Sequence, residues 1–91
     1  MFVVVSYDIR DDKRRRKVFK ELEAWGERVQ YSVFECVMDK SQLQILTDRL
    51  RDIIKEDEDT VRIYPLSEHV RQTIVLLGNG EVTDYNHAYV L

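Results

Sequence analysis

Cysteine, proline and glycine are all scarce in this chain: one, one and three residues among 91. The single thiol, Cys36, excludes an internal disulfide framework and points to a reducing, cytoplasmic setting. It alternates with Phe34 and Met38, so it reads as a small core residue. No apolar run reaches the length needed to cross a bilayer, so no membrane association is expected. The opening "MFVVVSYD" is apolar but short, lacks a basic leader and ends on an acid, so it is not expected to be a signal peptide. Positive charge is not in excess either. A net charge of -3 excludes a globally basic nucleic-acid binder, though not a local basic patch, because the charges are segregated along the chain. There is no glycine-rich phosphate loop, no Ser–His or Cys–His arrangement and no histidine pair at metal spacing. His69 and His87 therefore read as ordinary surface or interface residues.

What is present is the composition of a soluble globular protein, 44% hydrophobic and 34% charged. The length fits one domain over residues 1–91, with a core over 1–77 and a tail over 78–91. So short a chain buries one modest core, and partner surfaces are expected to add to its stability. No internal repeat or low-complexity segment interrupts it.

Residues Phe2–Asp8 alternate between two faces. Val3, Val5, Tyr7 and Ile9 form an apolar face suited to packing beneath helices. Phe2, Val4, Ser6 and Asp8 form the opposite face, which needs a partner sheet to cover its Phe and Val. A helix follows, with Asp11 or Asp12 as N-cap and first-turn acid. Val18, Phe19 and Leu22 share its buried face, with Trp25 at the margin, and Gly26 stands where a left-handed C-cap belongs. "RVQYSVFECVM" reads as a short strand near Arg28–Gln30, a tight turn and a strand near Val33–Met38. Glu35 on that strand is expected to pair with a base, and Gln30 to serve backbone groups at the turn. "SQLQ" at Ser41–Gln44 reads as a capping box opening a second helix. Leu43, Leu46, Leu50, Ile53 and Ile54 form its stripe. Lys55–Asp59 reads as a charged, solvated turn. "TVRIYPL" reads as a strand that Pro65 either places at an edge or ends, and "TIVLL" at Thr73–Leu77 as a further strand. The expected class is α+β: a ferredoxin-like β-α-β-β-α-β antiparallel sheet, helices on one face, with an additional C-terminal strand.

Three pieces in register, "YDIRDDKRRRKV", "GERVQYSVFEC" and "EDTVRIYPL", resemble the CRISPR-associated protein 2 family, small partners of the CRISPR integrase that captures spacers. The tail from Gly78 has no counterpart in that resemblance. The resemblance implies a ferredoxin-like protomer, a face-to-face homodimer, and a divalent-metal site at Asp8 shared across the dimer axis. It implies either metal-dependent endonuclease activity on RNA or double-stranded DNA, or a non-catalytic scaffold that binds duplex DNA and docks the integrase. It also marks Arg28, Ser32 and Phe34 as functional positions and keeps a tyrosine, Tyr7, before the aspartate.

The residues bear on both possibilities. Near a dimer axis two Asp8 carboxylates would repel or share a proton unless a cation lay between them. One carboxylate per chain suits Mg²⁺, which keeps its waters and borrows phosphate oxygens; Mn²⁺ would be accepted as well. The plainer alternative is that Asp8 begins a turn or caps the first helix. Six of the eight positions Arg10–Lys17 are basic. Arg15 falls on the core-facing side of the helix, where it either pairs with Asp8, Asp11 or Asp12 or binds phosphate. Arg14, Arg16 and Lys17 would extend a groove for the nucleic-acid backbone. Tyr7, on the helix-facing side, reads more as core than as catalyst. A small-molecule-sensing domain of the same fold has no need of this acid–base segregation.

Overall fold

The computed structural model describes residues 1–83. The elements are β1 (Phe2–Asp8), α1 (Asp12–Glu23), β2 (Gly26–Gln30), β3 (Val33–Val37), α2 (Lys40–Ile53), β4 (Thr60–Leu66) and α3 (Glu68–Gln72). One four-stranded antiparallel sheet has the order β2-β3-β1-β4. Each β-α-β half thus places its two strands with another strand between or beside them, as the ferredoxin-like order requires. The α+β class is therefore as expected. Among the described residues β4 pairs only with β1 and carries Pro65, so it is an edge strand, where a missing N–H is tolerated.

The alternation in β1 divides the molecule. Val3, Val5, Tyr7 and Ile9 are buried with Val18, Leu22, Phe34, Cys36, Leu46 and Leu50 in one core between sheet and helices. Each such aliphatic side chain contributes about 1.5–3 kcal/mol when fully buried. Burial pushes the Cys36 thiol up to about 12, which leaves it an inert core group. Trp25 closes the core at the end of α1, and its indole N–H donates to Glu21 at 2.8 Å. Glu21 also pairs with Arg49 of α2 at 3.0 Å, which ties the two helices together.

Several local expectations change. Asp11 is the N-cap of α1, accepting from the Arg14 amide at 2.8 Å, with Asp12 in the first turn. Gly26 is not a left-handed cap; it opens β2, and the positive-φ glycines among the described residues are Gly78 and Gly80. Its need is space: a Cβ there would lie 2.2 Å from the Glu35 carbonyl oxygen and 2.6 Å from Cys36 Sγ. The capping box of α2 is Asp39–Gln42, two residues earlier than expected. The Asp39 carboxylate accepts from the Gln42 amide at 2.8 Å, and Gln42 Oε1 accepts from the Asp39 amide at 2.9 Å. Ser41 instead donates to the same carboxylate. These bonds, the Gln42 amide first, hold the Asp39 carboxyl below its ordinary value.

The largest departures follow β4. α3, unanticipated, is capped by Ser67, whose Oγ accepts from the Val70 amide at 3.1 Å. The additional strand expected at Thr73–Leu77 is absent: residues 74–77 lie in no strand and pair with nothing in the sheet. β propensity alone does not make a strand, and "TIVLL" pairs with neither edge of its own sheet. Phe2, expected to need a partner sheet, is fully buried by its own chain. Arg71 lies over its ring at 5.9 Å and donates to the Thr83 carbonyl at 2.7 Å. Glu35, expected to pair with a base, accepts instead from the Thr83 amide at 3.0 Å. His69 is exposed on α3; His87 lies outside the described residues. No helix among the described residues is long and apolar enough to cross a membrane.

Candidate functional site

The end of β1, the start of α1, the β2–β3 turn and the start of β4 converge at one edge of the sheet. Asp8 is the last residue of β1, paired with Thr60, and its side chain is exposed on the face opposite Tyr7. Two shallow grooves meet at it. One, of about 420 Å³, is lined by Arg10, Asp11, Arg14, Glu58, Asp59 and Thr60 besides Asp8. The other, of about 600 Å³, runs along Ser6, Tyr7, Ile9, Arg10, Arg15, Tyr31 and Ser32. Asp8 caps nothing, because the helix cap is Asp11. Among the described residues no three His, Cys, Asp or Glu side chains gather to hold a metal. The other acids of these grooves, Asp11, Glu58 and Asp59, are held by Arg14, which leaves Asp8 as the groove carboxylate that no described side chain engages. That fits a Mg²⁺-like ion completed by waters, phosphate or a second chain, and does not fit a closed protein cage.

The basic residues separate into distinct settings. Arg14 joins α1 to β4: its Nε donates to Asp59 at 2.8 Å and its Nη2 to Glu58 at 3.0 Å. Asp59 is buried, although the turn before it is charged and open, and Arg14 holds its carboxyl below the ordinary value against the opposing effect of burial. Of the acids its helical position offers, Arg15 takes Asp12. Its Nη1 donates to the carbonyls of Ile9 at 3.1 Å and Arg10 at 3.2 Å. It thereby fixes the loop that leaves Asp8. Arg16 is exposed and borders a niche of about 320 Å³ with Tyr7, Arg15, Phe19, Arg28 and Tyr31. Lys17 points elsewhere, into a groove between α1 and α2 lined by Lys20, Glu21, Ala24, Arg49 and Ile53.

Arg28 sits between two rings, 5.4 Å from the centroid of Phe19 and 5.3 Å from that of Tyr31. Phe19 in turn meets buried Phe34 edge-on at 5.6 Å. Phe34 is thus a floor for this stack and not a surface contact. Tyr7 is 5% exposed, and its amide donates to the Ser32 carbonyl at 3.1 Å, which closes the turn against β1. Burial, more than any charge, raises the Tyr7 hydroxyl above its ordinary value, so it remains a phenol at neutral pH. Two participants escape the sequence pattern. Arg10 lines both grooves at Asp8, and Tyr31 stands between the niche and Asp8. Neither has a periodicity signal, because both lie where a regular element ends.

Comparisons with known proteins agree with the fold. Residues 1–74 match the family described as CRISPR associated protein Cas2. A Synechocystis relative, named a CRISPR-associated endoribonuclease Cas2, is 48% identical over 80 residues, covering 88% of this chain and 87% of its own length. A Thermus thermophilus relative, named a CRISPR-associated endonuclease Cas2, is 41% identical and covers 96% of this chain and 92% of its own. The crystal structure of Streptococcus pyogenes Cas2 superposes with a TM-score of 0.74 at 36% identity, over 86% of this chain and all of that one. A chain from a partial Cas6-RT-Cas1–Cas2 complex superposes with a TM-score of 0.69 at 27% identity, over 98% of this chain and 94% of that one.

Proposed function

Because this chain belongs to the CRISPR-associated protein Cas2 family, we propose that it serves spacer acquisition as a homodimer that binds nucleic-acid backbone and docks the CRISPR integrase, with Asp8 as a divalent-metal ligand for endonucleolytic cleavage. The observation that carries this reading is the exposed Asp8 carboxylate at the sheet end, with Arg10 and the anchored Arg15 lining its groove and Arg16 and Arg28 in the niche that shares Tyr7, Arg15 and Tyr31 with that groove. Asp8 would hold Mg²⁺, or Mn²⁺ in its place. When bound, the ion would supply an activated water and charge stabilisation at a phosphodiester. The protein's own part is positional. Arg15 pins the Ile9–Arg10 carbonyls, and the Tyr7–Ser32 bond holds the turn, so the carboxylate and the bases keep fixed spacing. The non-catalytic scaffold is a second reading. Its support is that no cluster of three or more metal-ligating side chains gathers among the described residues.

The bases should bind backbone and ignore sequence, since phosphate contacts supply affinity and register without sequence information. The double variant Arg10→Ala, Arg16→Ala is expected to weaken binding of unrelated duplexes about equally. Two lost phosphate contacts should flatten the salt slope by about 2. These two positions avoid Arg14 and Arg15, whose guanidiniums hold the fold. Anisotropy titrations at several salt concentrations check this, and an effect confined to one sequence would contradict it.

Dimerisation is supported by unpaired material. Val75 and Leu77 are 80% and 91% exposed, and β4 presents a free edge among the described residues. An apolar extended segment and an open edge are the two halves of a strand-addition contact. The reading expects two chains to meet through the remaining open sheet face and "TIVLL" to complete the interface. Val75→Asp with Leu77→Asp should shift the dimer towards monomer without unfolding it, because neither residue is buried in one chain. Light scattering that found the wild type monomeric at micromolar concentration would reject the dimer.

A further inference from the structure

An exposed tyrosine is unremarkable by itself. Tyr31 differs in how it is held. It is 67% exposed, yet its ring lies 5.3 Å from the Arg28 guanidinium, which is braced on Phe19, itself braced on the buried Phe34. The ring therefore belongs to a stack rooted in the core. It also borders both the basic niche and the Asp8 groove.

We propose that Tyr31 is a stacking platform for the base of an unpaired nucleotide whose phosphates lie among Arg15, Arg16 and Arg28. This deepens the backbone-binding reading above and rests on it. A phosphate in the niche places the attached sugar and base within reach of the ring. Every base has a π-face, so the contact is tolerant of sequence, but only a nucleotide outside a duplex stack exposes that face. The neighbouring guanidinium adds a cation beside the stacked rings. The niche is thus a single-strand subsite on a surface that otherwise follows duplex backbone. It gives the protein preference for single strands, overhangs and frayed ends near Asp8.

The test uses the full chain with two labelled probes, a short oligothymidylate and a blunt duplex of equal length. Tyr31→Ala is expected to weaken the single strand about tenfold, the size of one lost base–aromatic stack, with duplex affinity and salt slope unchanged. Tyr31→Phe should behave as wild type, because the ring and not the hydroxyl carries the contact. A thermal unfolding midpoint equal to the wild type's shows that the Arg28 stack survives on Phe19. Equal weakening of both probes, or of neither, would overturn the proposal, as would unchanged affinities combined with lost integrase docking. If the wild type binds neither probe, the underlying backbone reading fails. If it binds both and Tyr31→Ala alters neither, only the stacking platform fails.

Discussion

Asp8→Asn is expected to lower metal-dependent cleavage by orders of magnitude while leaving the fold, the dimer and backbone binding in place. The substitution keeps the shape of the side chain and removes the anionic charge that a hard cation needs, while the neighbouring Asp11, Glu58 and Asp59 are already held by Arg14. Its side chain is exposed and caps no helix, so the exchange costs the fold little. If two copies face each other near a dimer axis, the metal-free dimer should gain stability from the loss of like-charge repulsion. Chelation should reproduce the loss in the wild type, and added Mg²⁺ or Mn²⁺ should reverse chelation but not the mutation. The comparison is made on single-stranded RNA and on duplex DNA, with spacer integration by the cognate integrase measured in parallel. Undiminished metal-dependent cleavage by Asp8→Asn would remove Asp8 as the catalytic ligand. No cleavage by either protein, with normal integration by both, would leave the scaffold reading standing.

Much of this site is written in the strands. The two-residue alternation of β1 places Val3, Val5 and Tyr7 inward and Asp8 outward, and the structure keeps that division. The helical stripe of Leu46 and Leu50 is equally direct. Legibility fails where a residue's partner is far away in sequence. Asp59 looks like one more acid in a solvated turn until Arg14, forty-five residues earlier, is found beside it. Gly26 looks like a helix terminator because its real constraint is the backbone of β3 pressed against it. Asp39 outcompetes Ser41 for the helix cap because a carboxylate can accept from the Gln42 amide and the Ser41 hydroxyl together. "TIVLL" has strand composition but joins neither edge of its own sheet, so composition alone misplaces it. Tyr31 is invisible to periodicity, since its setting comes from the Phe34–Phe19–Arg28 stack beneath it.

The same long-range contacts decide which arginines are available to a ligand. A run of six basic residues in eight reads as one surface, but the fold divides it. Arg14 is bound to Asp59 and Glu58, Arg15 to loop carbonyls and Asp12, and Lys17 faces the groove between the helices. Exposed Arg10 and Arg16 border the Asp8 groove and the niche. Affinity is therefore expected to depend on these two more than on their equally charged neighbours, whose replacement should act first through stability.

Asp59→Ala is the substitution expected to show this division most plainly. The Asp59 side chain is 1% exposed and accepts three hydrogen bonds: Arg14 Nε at 2.8 Å, Arg14 Nη2 at 3.3 Å and the Lys55 amide at 2.9 Å. Its own amide donates to the Lys55 carbonyl at 2.8 Å, so the residue closes the turn into β4 from both ends. Removing the carboxylate leaves the Lys55 amide and the Arg14 fork short of an acceptor, which should cost about 2–3 kcal/mol. In a domain of this size that lowers the unfolding midpoint by about 10 °C or more. Glu58→Ala, which removes the exposed partner of the same arginine, should leave the midpoint nearly unchanged. The folded carboxyl of Asp59 titrates below its unfolded value, chiefly because of the Arg14 hydrogen bonds. Its contribution is therefore complete above the unfolded pKa and is lost as pH falls through the folded one. The gap between wild type and Asp59→Ala should be constant near neutrality and should close below about pH 4. Because Thr60, the next residue, pairs with Asp8, the variant should also lose cleavage in parallel with stability. Thermal unfolding from neutral to acid pH checks the argument. A gap of less than half the expected size, or one that does not change with pH, would mean that Arg14 does not anchor the Asp8 end of the sheet.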